Sequence, residues 1–200
     1  LTHDSLSACI LSRWSGQIGD PHLMGWLTVG LYALVALAAV LVLRVPGAVS
    51  GRARAFWLLV ALAMAALAVN KQIDLQSALT ALGRCIALRD GWYDDRGPFQ
   101  RLVLTGLGAA ALGLLALGLY ALRRDLRRNL AALVGLSFVA GFVMLRAVGY
   151  HGFDALINAR VDGVRLNWVL EWAGPLLIAA NALALRRAAR RADDPFSRLQ

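Results

Sequence analysis

The chain has 200 residues, of which 59% are hydrophobic and only 16% charged, with a mean hydropathy of +0.60. A soluble domain of this size would carry about 25% charged residues, so the composition is that of a membrane protein. The net charge of +9 and pI near 10.9 would suit a nucleic-acid partner, but the arginines stand in short runs between apolar segments. That is how cytoplasmic loops are marked, and no nucleic-acid role is expected.

Residues 1–23 are mixed and end in the turn signal Gly19-Asp20-Pro21-His22. The stretch SLSACILSRW suits a short interfacial helix with Trp14 at headgroup level. No basic n-region leads into a long apolar core, so no cleavable signal peptide is expected. Span one is predicted over residues 24–45, entered by Trp26 and Tyr32 and closed by Arg44 and Pro46. The connection that follows holds Arg44, Arg52 and Arg54 and no acid.

Span two is predicted over residues 55–78. It starts in the uncharged run AFWLLVALAMAALAV and enters the polar stretch Asn70-Lys71-Gln72-Ile73-Asp74-Leu75-Gln76, which contains the sole lysine of the chain. No breaker interrupts it before Gly83, so one long helix is expected to leave the membrane with Leu75, Leu79, Leu82 and Ile86 at helical spacing. A turn of about 100° per residue would set Asn70, Lys71, Asp74 and Ser77 on one arc, with Gln72 and Gln76 on the other side. An outer-face loop over residues 79–101 then carries Asp90, Asp94, Asp95, Trp92 and Tyr93.

Span three, residues 102–122, is rich in glycine, and Gly106, Gly108, Gly113 and Gly118 permit close helix approach. After the basic turn Arg123-Arg124-Asp125-Leu126-Arg127-Arg128 comes span four, residues 130–150, apolar except for Arg146 near its far end. A second outer-face loop, residues 151–165, mixes acids, bases and His151. Span five, residues 166–185, contains Glu171 (the sole glutamate), Pro175 and Asn181, and the tail that follows is strongly basic.

The connections with nearly pure positive charge alternate with those that carry acids. The positive-inside rule then predicts a single all-α domain over residues 1–200, a five-transmembrane-helix bundle with the N-terminus outside and the C-terminus cytoplasmic. On that topology Cys9 and Cys85 both face the oxidising side, and a disulfide between them is expected to pin the N-terminal segment to the extension after span two.

The ionisable residues gather at the outer ends of spans two, four and five, where a polar cluster is a site hypothesis. Glu171 is expected to pair with Arg146 or Lys71, because an unpaired carboxylate at that depth costs a few kcal/mol. Asn167 shares the stripe of Glu171 and Gly174, and a continued span four would align Arg146, Tyr150 and Asp154.

Three readings are open. The cluster Asn70, Lys71, Asp74, Arg146, Asp154 and Glu171 is a packing network in a binding or scaffold subunit. It is alternatively a ligand, metal or cofactor pocket, with His151, Asp154, Asp74 and Glu171 on a divalent metal, whose hydrolase form uses metal-bound water. In that form Lys71 or Arg146 would stabilise an oxyanion. The third reading is a small transporter component, with Pro175 and the glycines breaking helices. A haem between His22 and His151 has weak support, and His3 and His22 read as surface histidines. Trp92, Tyr93, Trp168 and Trp172 read first as an aromatic belt. The expected partners are the lipid bilayer and either another membrane subunit or further copies of the chain.

Three segments, GDPHLMGWLTVGLY, NKQIDLQSALTALGR with GWYDDR, and RAVGYHGFDALINARVDGVRLNWVLEWAG, resemble a group of small polytopic bacterial inner-membrane proteins with no assigned activity. Members are sometimes labelled isopropylmalate isomerase, a soluble iron–sulfur enzyme that needs three cysteine ligands. This chain has two cysteines and does not support the label. The group favours a double His where this chain has His151-Gly152, which weakens the metal reading. The resemblance implies a bacterial inner-membrane location and supplies no activity.

Overall fold

A computed structural model describes residues 3–14, 20–93, 96–148, 160–161 and 164–193. The elements in chain order are α1 (His3–Arg13), α2 (Leu23–Arg44), α3 (Gly51–Ile73), α4 (Leu75–Arg89), α5 (Arg96–Leu122) and α6 (Leu126–Val148). A two-residue antiparallel ladder, β1 (Arg160–Val161) with β2 (Val164–Arg165), precedes α7 (Leu166–Asp193). Five stretches are long and apolar enough to cross a membrane: Leu23–Arg44, Gly51–Ile73, Arg101–Leu122, Leu126–Met144 and Leu166–Ala192.

The core is built from two antiparallel helix pairs. The pair α2 and α3 turns through Gly47, whose φ of +68° is the left-handed backbone that glycine adopts without strain. The pair α6 and α7 packs backbone to backbone. A methyl group built on Gly135 would lie 2.6 Å from the Gly174 carbonyl oxygen, and one on Gly174 would lie 2.7 Å from that of Gly135. Small residues at a crossing let helices approach where lipid supplies no hydrophobic drive. α7 also packs on α2, which joins the two pairs around Tyr32, Val35, Trp57, Val60, Met64 and Ile178. α5 stands at the rim. Among its described residues only Leu122 is buried, and Gly118 is the glycine that meets a neighbour, Leu133 of α6.

Polar side chains lock the basic end of the bundle. The buried Trp57 indole donates to Asn129 Oδ1 at 2.8 Å, and Asn129 Nδ2 donates to the Asp125 carbonyl at 2.9 Å. Ser50 donates to the Asp125 carboxylate, tying the α2–α3 connection to the α5–α6 turn. Asn181 of α7 reaches into α6, accepting from the Ala132 N–H at 2.8 Å and donating to the Arg128 carbonyl at 2.7 Å. Those two backbone groups are partners of a single i to i−4 turn, so one amide clasps the α6 backbone at both.

The expected long helix through residues 55–78 and beyond is corrected. α3 starts earlier, at Gly51, and stops at Ile73. Asp74 takes the left-handed conformation (φ 52°, ψ 50°), and α4 begins at Leu75. Aspartate tolerates this region because its short carboxylate bonds locally. Here the Asp74 N–H closes α3 on the Asn70 carbonyl at 2.9 Å, while its Oδ1 accepts from the Ser77 N–H at 3.4 Å and caps α4. Asp74 and Ser77 therefore leave the arc of Asn70 and Lys71. Much of the expected outer-face loop over residues 79–101 is helix as well, in α4 and the start of α5. α7 absorbs the basic tail through Asp193.

Candidate functional site

The start of α2, the end of α3, the start of α7 and the pair α1–α4 converge at the end of the bundle opposite the arginine-rich turns. Their meeting point is Lys71. Its Nζ lies 2.9 Å from Glu171 Oε1 and 3.2 Å from Glu171 Oε2, and 3.4 Å from Asp20 Oδ2. The Glu171 side chain is 4% exposed, that of Lys71 12% and that of Asp20 31%, so the cluster grades from a dry interior to the rim. In such surroundings a charge is tolerated only with a partner, and removing either member of the inner pair strands the other.

Each position follows from local structure. Lys71 occupies the last turn of α3, where a cation also complements the carbonyl end of the helix dipole. Glu171 stands one turn inside α7, four residues before the buried Pro175, which has no N–H to return to the Glu171 carbonyl. Asp20 is seated over Gly25 of α2, where any side chain would strike the Asp20 backbone oxygen and carboxylate. Beside the cluster Trp172 donates to Thr28 Oγ1 at 2.9 Å, and Thr28 donates back to the Met24 carbonyl, joining α7 to α2. Trp172 thus has a helix-packing bond, beyond the aromatic belt expected of it.

α1 closes over this end. Cys9 and Cys85 are joined by a disulfide, with their Cα atoms 6.1 Å apart, and α1 packs along α4. The Trp14 indole donates to the Ile73 carbonyl at 3.2 Å, satisfying one of the carbonyls left open where α3 stops.

Of the residues expected to form a site, Lys71 and Glu171 meet directly. Asn70 lies one residue before Lys71, but its carbonyl serves the α3 terminus. Asp74 caps α4 through its Oδ1, while His151 and Asp154, its expected partners on a metal, lie outside the described residues. Asn167 is in the first turn of α7, and its buried Oδ1 has no hydrogen-bond partner among the described residues; neither do the buried Oε1 and Nε2 of Gln72. Arg146 belongs to α6, but its side chain lies outside the described residues, as do Tyr150, His151 and Asp154. Among the described residues no group of three His, Cys, Asp or Glu stands close enough to hold a metal ion.

Asp20, Thr28 and Trp14 were missed as site residues. Asp20 read only as part of a turn. Its partnership with Lys71 had no signal in spacing, because 51 positions and a helix pair separate them. No family model, curated protein or solved structure matches this chain, so the site is read from its own geometry.

Proposed function

We propose that the chain is a multi-pass subunit of the bacterial inner membrane, with its N-terminus outside and C-terminus cytoplasmic. It serves as a binding or scaffold component, and the Lys71 cluster locks the outer ends of its spans. The observation that carries this reading is the closure of the cluster. The single ammonium group engages carboxylates from two separate elements, so its work is to hold α3, α7 and the entry to α2 together. Such polar contacts act as glue between helices in lipid. The rim helix α5, exposed along most of its length, supplies the face for a neighbouring subunit.

The test is the size of the particle purified from native membranes in mild detergent, by light scattering corrected for detergent. A mass well above the 21.5 kDa chain is expected. A strict monomer overturns the subunit reading. Elemental analysis and an absorption spectrum on the same sample test the competing cofactor-dependent hydrolase. Stoichiometric metal or haem that is lost in His151→Ala would replace the scaffold reading with that one.

A second reading, a small polar ligand held at this end, is favoured by one observation. The Gln72 amide, in the last turn of α3, and Asn167 Oδ1, in the first turn of α7, are buried with hydrogen-bonding capacity unused among the described residues.

A further inference from the structure

α4 presents two opposed faces. With about 100° of rotation per residue, Leu75, Leu79, Leu82 and Ile86 fall within an arc of about 60°, and Ser77 and Arg84 fall on the opposite side. Both flanks between them carry buried residues, Ala81 and Cys85 on one, where Cys85 is bonded to α1, and Ala87 on the other. The leucine face is open at its start, where Leu75 is 51% exposed and Leu79 60%, and half-buried at Leu82 and Ile86.

That open face continues another. On α3 the exposed side chains Leu58, Leu62, Val69 and Ile73 lie within a similarly narrow arc of about 60°, one unbroken apolar stripe along the outside of the bundle. The stripe ends at Ile73, the chain turns at Asp74, and exposed leucines resume at Leu75. A helix leaving the bilayer for water would have no use for them.

We propose that α4 is a membrane-surface helix. Its Leu75–Leu79–Leu82–Ile86 face rests in the boundary between headgroups and acyl chains of the leaflet at the Lys71 end, and the disulfide clamps α1 to its flank. The occupant of the face is lipid, because the face extends the stripe by which α3 meets the acyl chains. Helices with a leucine side and a polar, arginine-bearing side lie in the interface in this way. Arg84, on the polar side with its guanidinium 5.9 Å from the Tyr93 ring centroid, points its charge to the headgroup and water layer. The inference rests on the chain being membrane-embedded and adds the placement of an element that crosses nothing. The left-handed turn at Asp74 gains a function from it, since a straight continuation of α3 would carry these leucines into water.

The test is thiol accessibility in vesicles of phosphatidylcholine and phosphatidylglycerol containing the reconstituted, disulfide-bonded protein. Leu79→Cys and Ser77→Cys are compared with a membrane-impermeant maleimide, and Leu75→Cys and Arg84→Cys form a second pair. Non-reducing gels verify that Cys9–Cys85 is retained. The leucine-face thiols are expected to react at least about tenfold more slowly than the polar-face thiols, the scale set by burying one leucine side chain. Equal rates within both pairs, or equal shielding of all four positions, overturn the proposal. Shielding of Leu79→Cys in native membranes that disappears on reconstitution also overturns it, in favour of a protein partner. Extraction of the protein by alkaline carbonate would instead refute the membrane embedding itself, a result separable from any labelling pattern.

Discussion

Lys71 and Glu171, one hundred positions apart in the chain, share two contacts of 2.9 and 3.2 Å at the point where α3 meets α7. Lys71→Met leaves Glu171 and Asp20 as two carboxylates without their cation. It is expected to lower stability by about 3–5 kcal/mol, the usual result of stranding a buried charge. Glu171→Gln should cost less, since Asp20 remains near the ammonium. The double variant Lys71→Met/Glu171→Leu should recover much of the loss. Denaturant titration in detergent micelles measures all three; a double variant as unstable as Lys71→Met would show that the pair does more than neutralise itself.

Among the described residues, Gly25 and the Gly135–Gly174 crossing are places where an added side chain would strike backbone. Gly25→Val should displace Asp20 and weaken the ion cluster without replacing a charged residue. Gly135→Ala should cost about 1–3 kcal/mol by forcing α6 from α7. Gly106→Ala and Gly113→Ala on α5, with open space around them, should leave folding of the isolated chain unchanged. Thermal unfolding monitored by loss of monodispersity distinguishes the two groups.

Reduction of Cys9–Cys85, or its removal as Cys9→Ser, should free α1 from α4. The bridge joins positions 76 residues apart, so its loss is expected to lower stability by about 2–4 kcal/mol. Limited trypsin digestion should then cut faster at Arg13, which is exposed, while the spans remain protected. An unchanged rate of cutting would mean that packing and the Trp14 bond suffice to hold α1.

Asn181 is expected to be worse as Asp than as Leu. Leucine removes both the acceptor for Ala132 N–H and the donor to the Arg128 carbonyl, whereas aspartate keeps the acceptor but buries a carboxylate whose second oxygen faces that carbonyl. The loss for Asn181→Leu should be about 1–3 kcal/mol, read as faster hydrogen exchange at the Ala132 amide.

At the end of α4 the Arg89 side chain donates to Asp90 and holds its carboxyl below the ordinary carboxylate range, while the same bond raises Arg89. A lowered folded-state value stabilises above the unfolded pKa of Asp90 and is lost as pH falls through the folded one. Arg89 stays charged throughout that window. Amide protection in the last turn of α4 should therefore decline only at acidic pH, and Asp90→Asn should abolish that decline. Both side chains are solvent-exposed, so the effect is small and salt-sensitive.

The apolar runs determined five membrane-length helices and the arginine runs between them, because hydropathy and charge are local properties that lipid reads directly. The pairing of Cys9 with Cys85 was legible for a related reason: once alternate connections share a side, two cysteines on that side are each other's available partner. The break at Asp74 was not legible, since aspartate within a polar helical stretch competes closely between continuing a turn and capping the next helix. In the structure the Asp74 N–H closes α3 on Asn70 and its carboxylate caps α4 at Ser77. Asp20 as the third member of the ion cluster, Asn181 as the clasp on α6 and the Gly135–Gly174 crossing depend on which helix faces sit opposite one another. Periodicity within one helix says which side chains share a face, and only the packed bundle says what that face meets.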